Sequence, residues 1–249
     1  MHTLRSSLVI LAILLSSPSG HTQSVAVASN FYRTMQTLAS AFETETGHEV
    51  LLVSGSTGGL YAQIVNGAPY DLFIAADSER PTRLASAGLG IAETQRTLAY
   101  GQLAIWSDDE ALVRHAGLDV LQDEQVKFLA IANPDLAPYG KAAQQTLMSL
   151  NQWDRWAGRL AYGQNVAQAY AMVVTGGAQI GLIAHSQALA SEHSGRFYLI
   201  PESHHEPIRQ DIILLARGAE NAAVRSLLEY LSSTNVRNVI RSAGYRVDD

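Results

Sequence analysis

Short apolar runs, each cut off by a polar turn that opens a helical stripe, recur along this chain, and that alternation leaves it little choice but a sheet with parallel strands. Two of the turns are rich in hydroxyls. Val25-Ala26-Val27 ends in Ala28-Ser29-Asn30, and Val50-Leu51-Leu52-Val53 ends in Ser54-Gly55-Ser56-Thr57-Gly58-Gly59. In a parallel α/β sheet such turns gather at the carboxyl edge, where ligands bind. A helix N-terminus offers unpaired N–H groups and the positive end of its dipole, and hydroxyls add donors. Gly58 and Gly59 allow an anion to approach the backbone closely. Neither turn holds Lys or Arg. The combination points to a small anion held by neutral donors. Ser, Thr and Asn are also what a plain helix N-cap wants, and that reading stays open for either turn singly. The two together, with the glycines, favour an anion site.

Further along, Met35, Leu38, Ala39 and Phe42 share a helix face, with Gly47 where a C-terminal cap belongs. His48–Val53 reads as a strand, Leu60, Tyr61, Ile64 and Val65 as a helical stripe, and Asp71–Ala76 as a buried strand, with Asp77 or Ser78 capping the next helix. Thr97–Ser107 is a long extended stretch with Gly101 in its middle. Val126–Ala132 is a strand, after which Pro138-Tyr139-Gly140 opens a helix. Tyr162–Val166 is a third strand-to-helix junction, Ile180–Ala184 a buried strand, and Ile208–Ala216 a strand placed to return to the first sheet. Helices near 219–232 and 235–243 finish the chain. The order fits two α/β lobes joined by extended crossovers near Thr97–Gly101 and Glu206–Gln210. Lobe I takes residues 24–100 and 207–249 and lobe II residues 101–206.

A chain of 249 residues, 47% hydrophobic, is long enough for such a pair of lobes. Its formal net charge of −6 argues against a nucleic-acid partner, which demands a basic footprint. Residues 1–23 read as an export leader: Arg5 flanks the apolar run Leu8–Leu15, which is too short to span a bilayer, and Ser17-Pro18-Ser19-Gly20 supplies small residues for cleavage. There is no cysteine, so neither disulfides nor a cysteine-linked lipid is expected. An exported chain without disulfides points to a bacterial periplasm.

Enzyme signatures are missing. Gly140-Lys141 is followed by Ala142 and lacks the upstream glycine of a Walker loop, and no G-x-S-x-G elbow occurs. His204-His205-Glu206 suggests a metal, but neighbours on an extended segment point to opposite faces, so both histidines read as solvated hinge residues. His185 reads as a structural histidine beside a cleft, and Trp106, Trp153 and Trp156 as packing residues.

With those residues in view, a resemblance emerges. Val25–Phe31, Gly55–Ile64 and Asn66–Phe73 resemble the periplasmic molybdate-binding proteins of molybdate ABC transporters. Asn133-Pro134 through Pro138-Tyr139-Gly140 and the helix start Asn165–Ala169 are similar to that family's second-lobe segments, and Glu206-Pro207-Ile208 and Ala243-Gly244-Tyr245 fit as well. The resemblance spans essentially the whole chain after the leader. It implies a type II periplasmic binding protein, with two α/β lobes, two crossover strands and the ligand between them. By position it assigns the donors to Ser29, Asn30 and Thr57 on one lobe and to the Tyr139 and Val166 backbone N–H groups on the other. Some members add a tyrosine hydroxyl after the strand matching Ile180–Ala184, where this chain has Ala184 followed by His185. The implied protein is a monomeric receptor without catalytic residues, bound metal cation or cofactor. It takes molybdate, and tungstate, to a membrane permease. A receptor for another tetrahedral oxyanion such as sulfate, and a periplasmic phosphate-ester enzyme, are the alternatives.

Overall fold

The computed structural model describes residues 22–114, 117–193 and 195–248, and among these the chain forms two five-stranded sheets flanked by helices. The leader residues Arg5, Leu8–Leu15 and Ser17–Gly20 lie outside the described residues. The first sheet starts with β1 (Gln23–Ala28), α1 (Tyr32–Thr46), β2 (Val50–Gly55), α2 (Thr57–Val65), β3 (Leu72–Ala75), α3 (Glu79–Ser86) and β4 (Arg96–Gly101). The second is built from β5 (Leu103–Ser107), α4 (Glu110–Arg114), β6 (Leu129–Ala132), α5 (Pro138–Ser149), β7 (Leu160–Gly163), α6 (Val166–Val174), β8 (Ile180–Ala184), α7 (His185–Leu189) and β9 (Arg196–Leu199). The chain then returns to the first sheet with β10 (Ile208–Leu214), α8 (Ala222–Tyr230) and α9 (Thr234–Ser242).

The strand orders are β2-β1-β3-β10-β4 and β7-β6-β8-β5-β9. In each, four strands run one way and a single strand runs antiparallel between two of them: β10 between β3 and β4, and β5 between β8 and β9. Parallel strands covered on both faces should be apolar throughout. β3, β6 and β8 obey this, with every residue buried. The helical stripes behave likewise: α1 buries Met35, Leu38, Ala39 and Phe42 and ends at Gly47, whose φ of 73° is the left-handed cap conformation.

Several boundaries differ from the sequence reading, three of them at residues with identifiable partners. Gln23, the last residue assigned to the leader, is already in β1, paired with Val50 and buried. The strand expected from His48 starts at Val50, whose N–H donates to Glu43 Oε1 at 2.8 Å, a bond that ties the helix end to the strand start. The strand expected over Val126–Ala132 is formed only from Leu129, because Phe128 N–H is taken by the Gln179 side chain at 2.9 Å rather than by a neighbouring strand.

The parallel strands of both sheets end toward a shared cleft. β1 and β2 deliver Ser29 and Ser56-Thr57 to it from one side; the segment after β6 delivers Pro138-Tyr139, and β7 delivers Val166, from the other. The first crossing between sheets leaves only Gln102 between β4 and β5, whereas the return from β9 to β10 runs through residues 200–207.

Candidate functional site

Five residues singled out in the sequence, Ser29, Asn30, Thr57, Tyr139 and Val166, line a single small cavity between the two sheets. Its remaining lining is Ala28, Gly55, Ser56, Ala76, Ala137 and Pro138. No Lys, Arg, His, Asp or Glu is among these residues, so the wall is made of dipoles and apolar groups.

Helix starts explain how the donors come to face it. Thr57 and Val166 are the first residues of α2 and α6, and Tyr139 is the second of α5. N–H groups in a first helical turn have no intrahelical acceptor. Among the described residues the N–H groups of Asn30, Thr57, Tyr139 and Val166 find no other hydrogen-bond acceptor either. At α6 the cap makes this selective: Asn165 Oδ1 accepts from Ala167 and Gln168 N–H at 3.0 and 3.1 Å and leaves Val166 N–H free. Two hydroxyls complete the set. Ser29 Oγ has no hydrogen-bond partner among the described residues, and Thr57 Oγ1 accepts from Ala76 N–H at 3.0 Å, which leaves its own proton to donate. Three helix N-termini bring partial positive charge to the same point. Six donors without a carboxylate or a cation make a receptacle for a small, fully ionised anion.

The side chain of Asn30 has a different task. It is 3% exposed, and its Nδ2 donates to Gln210 Oε1 at 2.7 Å and to Tyr245 Oη at 3.2 Å. Only the backbone N–H is left for the cavity. Tyr139 likewise turns its ring away: a Cβ on Gly101 would lie 2.1 Å from the Tyr139 hydroxyl, so the bare crossover residue makes room for it. Burial there pushes the Tyr139 phenol well above its ordinary value, with Tyr245 adding to the rise and Asn30 opposing it. Gly140 follows for a related reason, since a Cβ would meet the Ala132 carbonyl at 2.3 Å and push α5 off the end of β6.

Gly58 and Gly59 correct the sequence reading. Neither lines the cavity. Gly59 N–H donates to Ser56 Oγ, a helix cap, and Gly58 N–H donates across the cleft to the Leu136 carbonyl at 2.8 Å. A Cβ on Gly58 would sit 2.8 Å from that carbonyl, so its bareness serves the approach of the two halves rather than of an anion. Arg80, which the sequence did not flag, packs here too. It pairs with Asp77 and donates to the Asp135 carbonyl at 3.3 Å. Burial raises the Asp77 carboxyl above its ordinary value despite that partner. Gly58, within the second hydroxyl turn, therefore has a cation close by that linear sequence does not reveal.

The histidines divide. His185 lies outside the cavity lining; its Nδ1 donates to the Gly244 carbonyl at 3.1 Å and its ring packs on Phe197. Burial lowers its pKa from the ordinary value of 6.5, against the opposing pull of the Gly244 carbonyl. His205 is buried, not solvated as expected, because residues 202–206 lie against α5, held by Glu206 N–H to Gln145 Oε1 and by the Lys141–Glu206 ion pair. His204 bonds Ser149 Oγ through Nδ1. Trp106 and Trp156 are fully buried, and Trp153 packs partly buried against the same core. Among the described residues no three His, Asp or Glu side chains come together as a metal site.

Against known proteins, residues 24–246 match the model of the bacterial extracellular solute-binding protein family. The molybdate-binding protein ModA of Azotobacter vinelandii is 41% identical over 223 residues, covering 89% of this chain and 88% of its own. That of Rhodobacter capsulatus is 35% identical over 98% of this chain and 96% of its own. Among solved structures, the Azotobacter vinelandii periplasmic molybdate-binding protein superposes with a TM-score of 0.86 at 34% identity, over 91% of this chain and all of that one.

Proposed function

This chain belongs to the bacterial extracellular solute-binding proteins, within them to the molybdate-binding relatives and their type II periplasmic binding fold, and from that premise we propose that it is a periplasmic receptor that captures molybdate in the cavity between its two sheets and hands it to the permease of an ABC transporter. The family is one of solute carriers, not enzymes. The observation that carries the reading is the set of unpartnered donors at Ser29, Asn30, Thr57, Tyr139 and Val166 around a cavity free of charged side chains. Hydrogen bonds to a charged acceptor are the strong ones, so neutral donors suffice to hold a tetrahedral dianion. A donor-only wall rejects a protonated anion such as phosphate, because the P–OH finds no acceptor. Sulfate is also fully ionised, but its oxygens stand closer to the centre and cannot reach every donor at once. Tungstate, with the shape and charge of molybdate, is accepted as well.

The two halves act as lobes, residues 24–100 with 207–249 and residues 101–206, that close over the ligand about the two crossings. The reading calls for a monomer exported by the leader, with no group bound beyond the ligand. No helix among the described residues is long and apolar enough to cross a membrane. Isothermal titration of the mature protein with molybdate, tungstate, sulfate and phosphate tests the assignment. Tight binding of the first two and negligible heat from the others is expected, while sulfate binding as strongly as molybdate refutes it.

A further inference from the structure

Beside the cavity, the start of α7 touches the opposite half of the molecule through a buried polar cluster that the ligand-binding reading does not use. Ser186, 8% exposed, belongs to the second sheet's half, and its Oγ donates to the Asn30 carbonyl at 3.2 Å. Tyr245, 3% exposed and from the chain's last turn, donates its hydroxyl to the same carbonyl at 2.7 Å and lies 3.0 Å from Ser186 Oγ. Asn30 Nδ2 in turn donates to the Tyr245 oxygen at 3.2 Å and to Gln210 of β10 at 2.7 Å. The Tyr245 ring is held edge-on by Phe31, with centroids 5.0 Å apart. Residue 30 is thus gripped at its carbonyl and at its side-chain Nδ2, while its backbone N–H has no acceptor among the described residues.

We propose that Ser186 and Tyr245 are positioning residues that form a closure latch: when the halves meet, they lock residue 30 so that its N–H is presented to the bound oxyanion, and they hold the cleft shut. The inference rests on the receptor reading and adds to it. Two features of the cluster give the latch its character. Its members come from both halves, so the Ser186 bonds exist only in the closed arrangement and contribute nothing to an open one. They also lie outside the cavity lining, apart from Asn30, so Ser186 and Tyr245 act on the anion solely through that residue.

A device that operates only after the cleft closes should alter how fast ligand leaves, not how fast it arrives. The test is stopped-flow molybdate binding, followed by intrinsic fluorescence, on the wild type, Ser186→Ala, Tyr245→Phe, the double variant and Ser186→Thr. Ser186→Ala should raise the dissociation rate about tenfold with the association rate within twofold of wild type. Tyr245→Phe, which also strips Asn30 Nδ2 of an acceptor, should do so by more. The double variant should fall short of the product of the two single effects, because the two hydroxyls share one acceptor. Ser186→Thr, which keeps the hydroxyl, should restore slow release. Far-ultraviolet circular dichroism identifies any variant that has lost its fold, and Ser186→Ala, which removes one hydroxyl from a short helix, keeps the test decisive should Tyr245→Phe unfold. Wild-type dissociation rates in a folded Ser186→Ala, or equal losses on the two rate constants, overturn the latch while leaving the receptor reading intact. A wild-type protein that does not bind molybdate overturns both.

Discussion

Thr57 has two partners to serve with one hydroxyl, and replacing it with valine separates them. The side chain is 1% exposed, its oxygen accepts from Ala76 N–H at 3.0 Å, and its proton is free for the ligand. Thr57→Val keeps the branched shape and removes both functions. Without ligand, Ala76 N–H is left buried and unsatisfied, a cost of about 1–3 kcal/mol. For a chain of this size each kcal/mol moves the melting temperature by about 2–4 °C, so a fall of roughly 2–12 °C is expected for the unliganded variant. With ligand, one donor to a charged oxygen is lost, worth about 1.5–3 kcal/mol, which weakens the dissociation constant by roughly 10- to 150-fold. Ser29→Ala supplies the contrast, because Ser29 Oγ has no partner among the described residues to abandon. Its unliganded melting temperature should stay near wild type, within about 0.5 kcal/mol of stability, while its affinity falls as far as that of Thr57→Val. Differential scanning fluorimetry and calorimetric titration on the same preparations read the two quantities separately. Thr57→Val that binds molybdate like the wild type removes this hydroxyl from the site. Equal melting losses in the two variants refute the account of Ala76.

Gly58→Ala should leave the unliganded protein as stable as wild type but hinder closure, since the new methyl meets the Leu136 carbonyl only when the halves approach; small-angle scattering should then show less compaction with molybdate and calorimetry at least a fivefold weaker affinity, and wild-type compaction sinks the idea. His185 gives a pH dependence: its folded pKa lies below the ordinary 6.5, so the unfolded chain binds the proton first, and stability is full above pH 6.5 and is lost as pH falls through the folded value. Melting curves between pH 7.5 and 5 should show that decline, and His185→Gln should flatten it; an unchanged slope in the variant refutes the assignment.

What the sequence revealed and what it hid follow from the range of the interactions. A strand that ends in a hydroxyl-rich turn before a helix announces itself within about ten residues, which makes the turns of Ser29 and Thr57 legible, whereas the junctions of Tyr139 and Val166 carry no such hydroxyls and are assigned by the family resemblance. The orientation of Asn30 was not, because it is set by Gln210 and Tyr245, 180 and 215 positions away. Gly58 was read as room for an anion when its neighbour is a carbonyl across the cleft, a contact that only the packed halves create. His205, on a segment whose neighbouring side chains alternate between faces, reads as solvated, yet its segment is drawn onto α5 by Glu206 and Lys141. Strand interiors such as Ile180–Ala184 came through to the residue, since an unbroken apolar run has only one place to go. Strand ends such as Val126 and His48 did not, since side chains of Gln179 and Glu43 decide them.

The strand order has a consequence for how the molecule is made. The second sheet is complete once β9 has emerged, all five of its strands coming from one unbroken stretch of chain. The first sheet cannot close until β10 is synthesised, because that strand slots between β3 and β4, on which no other element can bridge the gap. Long-range pairings of this kind are slow, since the loop entropy must be lost before the contact is gained. The half that is written first is therefore finished last. Until then β3 and β4 carry unpaired edges that are open to pairing with the wrong strand.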